Sequence, residues 1–186
     1  MSRFTLTDLP LSGLKLLQRH SLSDSRGFFS RFFCAEELAD AGWNRPIAQI
    51  NHTLTHHAGS VRGLHFQRPP HGEVKIVSCL KGEIFDVAVD LRANSATFLH
   101  WHAEILSDKN FKSLLIPEGF AHGFQTMTDD CELIYLHSEP FHSESEGAVN
   151  IADPRIAIKW PLEISEISER DKNCLMINDT FGGILL

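Results

Sequence analysis

GSVRGLHFQRPPHGEVKIVSCLKGEIFDVAVDL, residues 59–91, is the stretch from which the fold can be read. It holds three apolar runs, at 60–66, 74–80 and 84–91, parted by Pro69-Pro70, Gly72 and Gly82. Each run is too short for an ordinary helix and rich in Val, Ile and Phe, the composition of a strand. Nearly everything between Gln49 and Leu136 reads as short strands; downstream the clearest are 103–106, 113–116 and 132–137, with Gly, Pro, Asn and Asp between them. That spacing is typical of a β-sandwich or barrel. Upstream, FFSRFF at 28–33 reads as a strand, and 35–41 as a short helix stopped by Gly42. Residues 164–173 predict a helical turn near SERDKN. Long amphipathic helices between strands, which a parallel α/β fold needs, are missing. The pattern therefore predicts an all-β fold, an antiparallel double sheet or jelly roll, with short flanking helices.

The remaining composition narrows the class. A chain of 186 residues predicts one domain over 1–186. With 42% hydrophobic and 22% charged residues it is ordinary globular sequence, neither disordered nor coiled-coil. No apolar run is long enough to span a bilayer, and the opening MSRFTLTDLPLSG lacks the pattern of a signal peptide. Cys34, Cys79, Cys131 and Cys174 form no CxxC pair, which predicts reduced, buried thiols in a cytoplasmic protein. His56-His57 and His100-x-His102 read as loop or surface residues without ligand-spaced partners. The net charge of −7 excludes a generally basic surface for nucleic acid. An anionic ligand would need a local cluster of Arg and Lys.

Gly59, five residues, His65 and Gln67, followed by Lys75 and Gly82, form one motif; Pro117, Gly119 and His122 form another. Together they resemble the two motifs of the cupin superfamily, which implies a cupin-type jelly-roll barrel. A metal cupin has HxH in the first motif, then a glutamate with six residues between it and a second glycine. Here Gln67 replaces the second histidine and Lys75 replaces the glutamate. An amide and an ammonium in place of an imidazole and a carboxylate remove ligand charge and add repulsion. The expectation is no metal at these positions. An imidazole and an ammonium suit proton abstraction beside a carbonyl instead, the histidine taking the proton and the lysine facing the oxyanion.

GLHFQRPP with the following Lys75, VDLR, LSDKN, LIPEGFAHGF and the DP-to-WP stretch at 153–161 resemble dTDP-4-dehydrorhamnose 3,5-epimerase. The resemblance runs from Asp24 to the SERDKN segment. It implies a cofactor-free epimerisation of a nucleotide-linked 4-keto-6-deoxyhexose through an enolate. Carried onto matching positions, His65 is the base, Asp171 orients it, Lys75 sits by the enolate oxygen, and Tyr135, the only tyrosine, is the acid on the other face. The resemblance assigns Arg26, Gln49, Asn51, Arg62, His122, Glu146 and Arg170 to the ligand. It also implies a homodimer with the site at the subunit interface, the segment around Arg26 reaching the other subunit's pocket.

Two positions depart from the family pattern. Arg31 stands where a glutamate that contacts the base is common. Arginine only donates, so Arg31 either meets a base such as cytosine with an N3 acceptor, or points to solvent or an acid. After Tyr135 the usual aromatic pair is Glu139-Pro140-Phe141, in which only Phe141 is aromatic. Inversion of one centre rather than two, or a CDP-linked substrate, stays open. A metal-dependent cupin is opposed by Gln67 and Lys75. A non-catalytic sugar-binding module is opposed by His65, Lys75, Tyr135 and Asp171 together.

Overall fold

The computed structural model describes residues 2–186. The strands are β1 (Phe4–Asp8), β2 (Lys15–Arg19), β3 (Leu22–Asp24), β4 (Gly27–Phe29), β5 (Gln49–Thr55), β6 (Val61–Gln67), β7 (Lys75–Lys81), β8 (Glu83–Asp90), β9 (Trp101–Ser107), β10 (Lys112–Ile116), β11 (Phe120–Thr126), β12 (Cys131–His137) and β13 (Glu146–Ala148). Two short helices, α1 (Ala35–Ala39) and α2 (Glu169–Lys172), flank them. A six-stranded sheet runs β1-β2-β10-β7-β12-β5, and a five-stranded sheet runs β13-β6-β11-β8-β9. Every pairing within both is antiparallel. This is the all-β, cupin-type jelly roll the sequence predicts.

Three apolar layers explain the strand composition. Between the sheets, Val77, Cys79, Leu114, Ile116 and Leu133 of one pack against Ile84, Ala88, Leu106, Phe120 and Phe124 of the other. The outer face of the six-stranded sheet (Leu17, Ile76, Leu115, Leu136) is covered by Leu38, Ala41 and Trp43 from the α1 region. The outer face of the five-stranded sheet (Val61, Phe66, Val87, Val89, Ala121) is covered by Val149, Ile151, Ile156 and Ile184 of the C-terminal segment. Strands buried on both faces lose the alternation that marks a half-exposed strand. For that reason β11, with every residue buried, carries no period-two signal and is not among the clearest runs. At the hairpin between β7 and β8, Gly82 has φ +80°, and a Cβ there would lie 2.7 Å from the Thr128 hydroxyl, which accounts for a glycine at this motif position.

Several expectations change. The strand expected over 28–33 ends at Phe29. Beyond it Phe32 lies under the Arg19 guanidinium at 4.0 Å, and Phe33 packs edge-on against Trp43, so side-chain packing replaces ladder bonds. β1, β3 and β13 are strands that the pattern does not mark, and β5 and β11 fall in the strand-rich stretch 49–136 but outside its clearest runs. His102 lies on β9, half-buried and bonded to Glu104. All four thiols are unpaired, but only Cys79 and Cys131 are buried; Cys34 and Cys174 are half-buried.

Candidate active site

A cavity of about 980 Å³ opens between the two sheets, bordered by Phe124 and Tyr135 of the core between them. Its size suits a sugar nucleotide rather than a small metabolite. β6 and β11 of the five-stranded sheet supply Arg62, His65 and His122 to one wall. β5, β7 and β12 of the six-stranded sheet supply Gln49, Asn51, Lys75 and Tyr135 to the facing wall. The segment 164–172, bonded along β6 through the Val61 N–H to Glu166 O, closes the side with Arg170 and Asp171. Phe141 and Glu146 complete it.

His65 Nε2 lies 2.7 Å from Asp171 Oδ1, and the Asp171 side chain is only 5% exposed. Asp171 is held in turn. Ser168 caps α2 by accepting from the Asp171 N–H at 3.0 Å, and the Gly63 N–H donates to Asp171 Oδ2 at 3.3 Å. Burial alone would raise the Asp171 carboxyl; the His65 contact and these donors outweigh it and hold the carboxyl below its ordinary range. An ionised carboxylate only accepts, so Nε2 carries a proton and Nδ1 is the basic nitrogen.

Gly63 permits this arrangement. Its φ is +126°, and a Cβ would fall 2.5 Å from Gly123 Cα and 2.8 Å from His122 O. Only a bare backbone lets β6 approach β11 this closely, which sets His65 and His122 opposite one another in register. His122 Nε2 contacts the fully buried Asp86 at 2.7 Å.

On the facing wall Tyr135 packs edge-on to His122, ring centroids 6.1 Å apart. Burial pushes its phenol well above the ordinary value. The group therefore stays protonated at neutral pH. Lys75 Nζ is 2.7 Å from Glu73 Oε1, and Glu73 Oε2 is 2.6 Å from His137 Nδ1. Burial would raise Glu73; Lys75 and His137 reverse that and hold it at about 2. Glu73 and His137 line the cavity, yet the sequence does not mark them, because neither lies in a recognisable motif.

Of the expected ligand contacts, Gln49, Asn51, Arg62, His122, Phe141, Glu146 and Arg170 line the cavity. Arg62 Nε donates to Thr55, and Arg170 pairs with Glu146 at 2.5 Å. Arg26 and Arg31 do not line it. Arg26 pairs with Asp24 on the exposed β3–β4 hairpin, and Arg31 pairs with Glu37 beside α1. Within this subunit Arg31 therefore meets an acid, not a nucleobase.

The metal-cupin positions do not suit a cation. Gln67 donates to His71 O and Pro140 O, and Lys75 is an ammonium. Elsewhere among the described residues His71, His142 and Glu144 bring ligand-type atoms within 4.8 Å of one another. The two imidazoles stack with ring centroids 3.5 Å apart; His71 Nδ1 meets Glu139 at 3.2 Å, and His142 lies near Glu139 and Glu144.

Residues 8–179 match the family model described as dTDP-4-dehydrorhamnose 3,5-epimerase. The chain belongs to this family. Among relatives, a dTDP-4-dehydrorhamnose 3,5-epimerase of Methanothermobacter thermautotrophicus is 40% identical, covering 93% of this chain and 94% of its own. A dTDP-4-dehydrorhamnose 3-epimerase of Streptomyces niveus is 34% identical over 97% of this chain and 87% of its own. The crystal structure of the Legionella pneumophila dTDP-6-deoxy-D-glucose-3,5-epimerase with dTDP-4-keto-L-rhamnose superposes with a TM-score of 0.88 at 35% identity, covering 93% and 92% of the two chains. The epimerase family thus contains members named for two centres and for one. No helix among the described residues is long and apolar enough to cross a membrane.

Proposed function

We propose that this protein epimerises a nucleotide-linked 4-keto-6-deoxyhexose without a cofactor, converting dTDP-4-dehydro-6-deoxyglucose to dTDP-4-dehydro-L-rhamnose. The observation that carries the reading is one cavity with the His65–Asp171 pair on one side and Tyr135 and Lys75 on the opposite wall. Inversion at carbon needs a base and an acid on opposite faces. His65 Nδ1 takes the proton from the carbon next to the C4 ketone. The electron pair moves into the C3–C4 or C4–C5 bond and onto the C4 oxygen, where the Lys75 ammonium stabilises it. Tyr135 returns a proton from the other face, and solvent re-equilibrates both groups.

Arg62 and Arg170 bind the diphosphate, for which the guanidinium fork is well shaped. The protein acts as a homodimer in the cytoplasm. β5, paired with β12 on one side, is the edge strand of the six-stranded sheet beside the cavity, with Ile50 and Leu54 exposed, and the β3–β4 hairpin leaves Phe28 and Phe29 exposed. Docking of that hairpin on a second copy would bring Arg26 to the partner's cavity. Glu139-Pro140-Phe141, together with a 3-epimerase among the relatives, supports a second reading in which one centre inverts.

The test is incubation of chelator-treated protein with dTDP-4-keto-6-deoxyglucose in D₂O, read by proton NMR. Deuterium at C3 and C5 is expected. Deuterium at one carbon selects the single-centre reading, and none at either, with CDP- and GDP-linked substrates also inert, overturns the epimerase reading.

A further inference from the structure

We propose that Glu73 is a positioning residue of this site, anchoring the Lys75 ammonium in the cavity wall and tied in turn by a hydrogen-bond chain along that wall that ends on the loop bearing Phe141. The inference rests on the role given to Lys75 above. Glu73 stands just before β7 with its side chain 9% exposed, and its two oxygens divide between Lys75 Nζ at 2.7 Å and His137 Nδ1 at 2.6 Å.

From His137 the contacts continue across the strand pair. Asn51 Nδ2 lies 3.4 Å from His137 Nε2, Gln49 Nε2 lies 3.1 Å from Asn51 Oδ1, and the Phe141 N–H donates to Gln49 Oε1 at 3.0 Å. Both ends of this chain are fixed by chemistry. The Phe141 N–H can only donate, so Gln49 must present its oxygen there and its amide N–H₂ to Asn51. Asn51 then turns its oxygen to Gln49 and its N–H₂ to His137, whose Nε2 must accept. His137 is accordingly the Nδ1–H tautomer, donating to a carboxylate that can only accept. Every member has its partner, and no member can turn over without setting donor against donor. Such a chain biases each member to one orientation.

Lys75 is thereby the ion-pair partner of Glu73, and His137 is its ring N–H donor. A glutamine at 73 breaks the pattern, because its N–H₂ must face either the ammonium or the His137 N–H. One of them moves away, and the carboxylate that anchored Lys75 is gone.

The experiment compares wild type, Glu73→Gln, Glu73→Asp, Lys75→Met and the Glu73→Gln/Lys75→Met double variant. It measures kcat, KM, deuterium wash-in and dTDP affinity. Glu73→Gln is expected to lower kcat and wash-in about 10- to 100-fold, the range for losing a charge-assisted hydrogen bond. KM and the dTDP Kd should stay within about twofold, given the kcat-specific loss expected of a transition-state contact. Glu73→Asp should recover part of the loss. The double variant should be no slower than Lys75→Met alone, since Glu73 acts through Lys75. Wild-type kcat in Glu73→Gln, or losses that multiply in the double variant, would overturn the proposal. If Glu73→Gln fails to bind dTDP and so to fold, Glu73→Asp decides: a kcat loss at unchanged dTDP affinity supports the role, and full kcat refutes it. A wild type that exchanges no deuterium would instead sink the epimerase reading.

Discussion

Replacing Asp171 with asparagine changes almost nothing in shape and removes the charge on which His65 depends. The contact is 2.7 Å long and nearly closed to water, the Asp171 side chain being 5% exposed. As His65 takes the substrate proton it becomes an imidazolium, and the carboxylate stabilises that cation more than it stabilises the neutral ring. A hydrogen bond to a charged group is worth about 1.5–3 kcal/mol. At about 1.4 kcal/mol per tenfold, kcat should fall roughly 10- to 150-fold. If the asparagine N–H₂ turns towards His65, it forces the ring proton onto Nδ1, the nitrogen that has to accept, and the loss lies at the upper end. The Gly63 N–H contact to Oδ2 favours an oxygen there and therefore opposes Asp171→Ala more than Asp171→Asn. The assay is proton NMR of substrate in D₂O at saturation, with dTDP affinity as the control for folding and binding. Exchange within twofold of wild type, beside an inert His65→Ala, would refute the orienting role of Asp171.

Tyr135→Phe should keep proton loss and wash-in but yield little inverted product, since the enolate forms without the acid; equal loss of both, by NMR and product analysis, would contradict the division of labour. Gly63→Ala should cost about 3 kcal/mol or more, because overpacking adds to a positive-φ penalty where Gly123 backbone stands 2.5 Å away; an unchanged urea midpoint would show that β6 can retreat. Acid should destabilise the fold through Glu73 and Asp90. Burial opposes their ionisation, but Lys75 and His137 for one, and Arg92, Ser95 and Thr97 for the other, hold both at about 2 against ordinary values of 4.5 and 3.8. Their folded values lie below their unfolded ones, so the stabilisation is whole above about pH 4.5 and fades as pH falls towards 2. Thermal midpoints level from pH 7 to 5 and falling below 4.5 are expected, and a flat profile down to pH 3 would contradict this.

The strands that could be read in advance are those whose surroundings leave a local trace. The runs around Val61, Val77 and Val87 are apolar, β-branched and bounded by Gly or Pro, so their neighbours were not needed to identify them. β11 lies in the strand-rich stretch but is not among its clearest runs, because burial on both faces erases its alternation. β5 has the opposite problem: its polar residues face the cavity and solvent, and only the pairing with β12 makes it a strand. Phe32 and Phe33 look like strand residues, yet Arg19 and Trp43, distant in sequence, decide where they go.

By itself the sequence determined the all-β class, the family, and the identity of His65, Lys75, Tyr135 and Asp171 as residues worth bringing together. Residue type and spacing are local properties, and they survive in a string of letters. Only the tertiary structure decided that the His65 side and the Tyr135 wall face each other across one cavity, that Arg31 pairs with Glu37, and that Glu73 and His137 stand beside Lys75 in the cavity wall. Those relations join residues as far apart as 65 and 171, and they exist only because two sheets close on a common core and leave one end open.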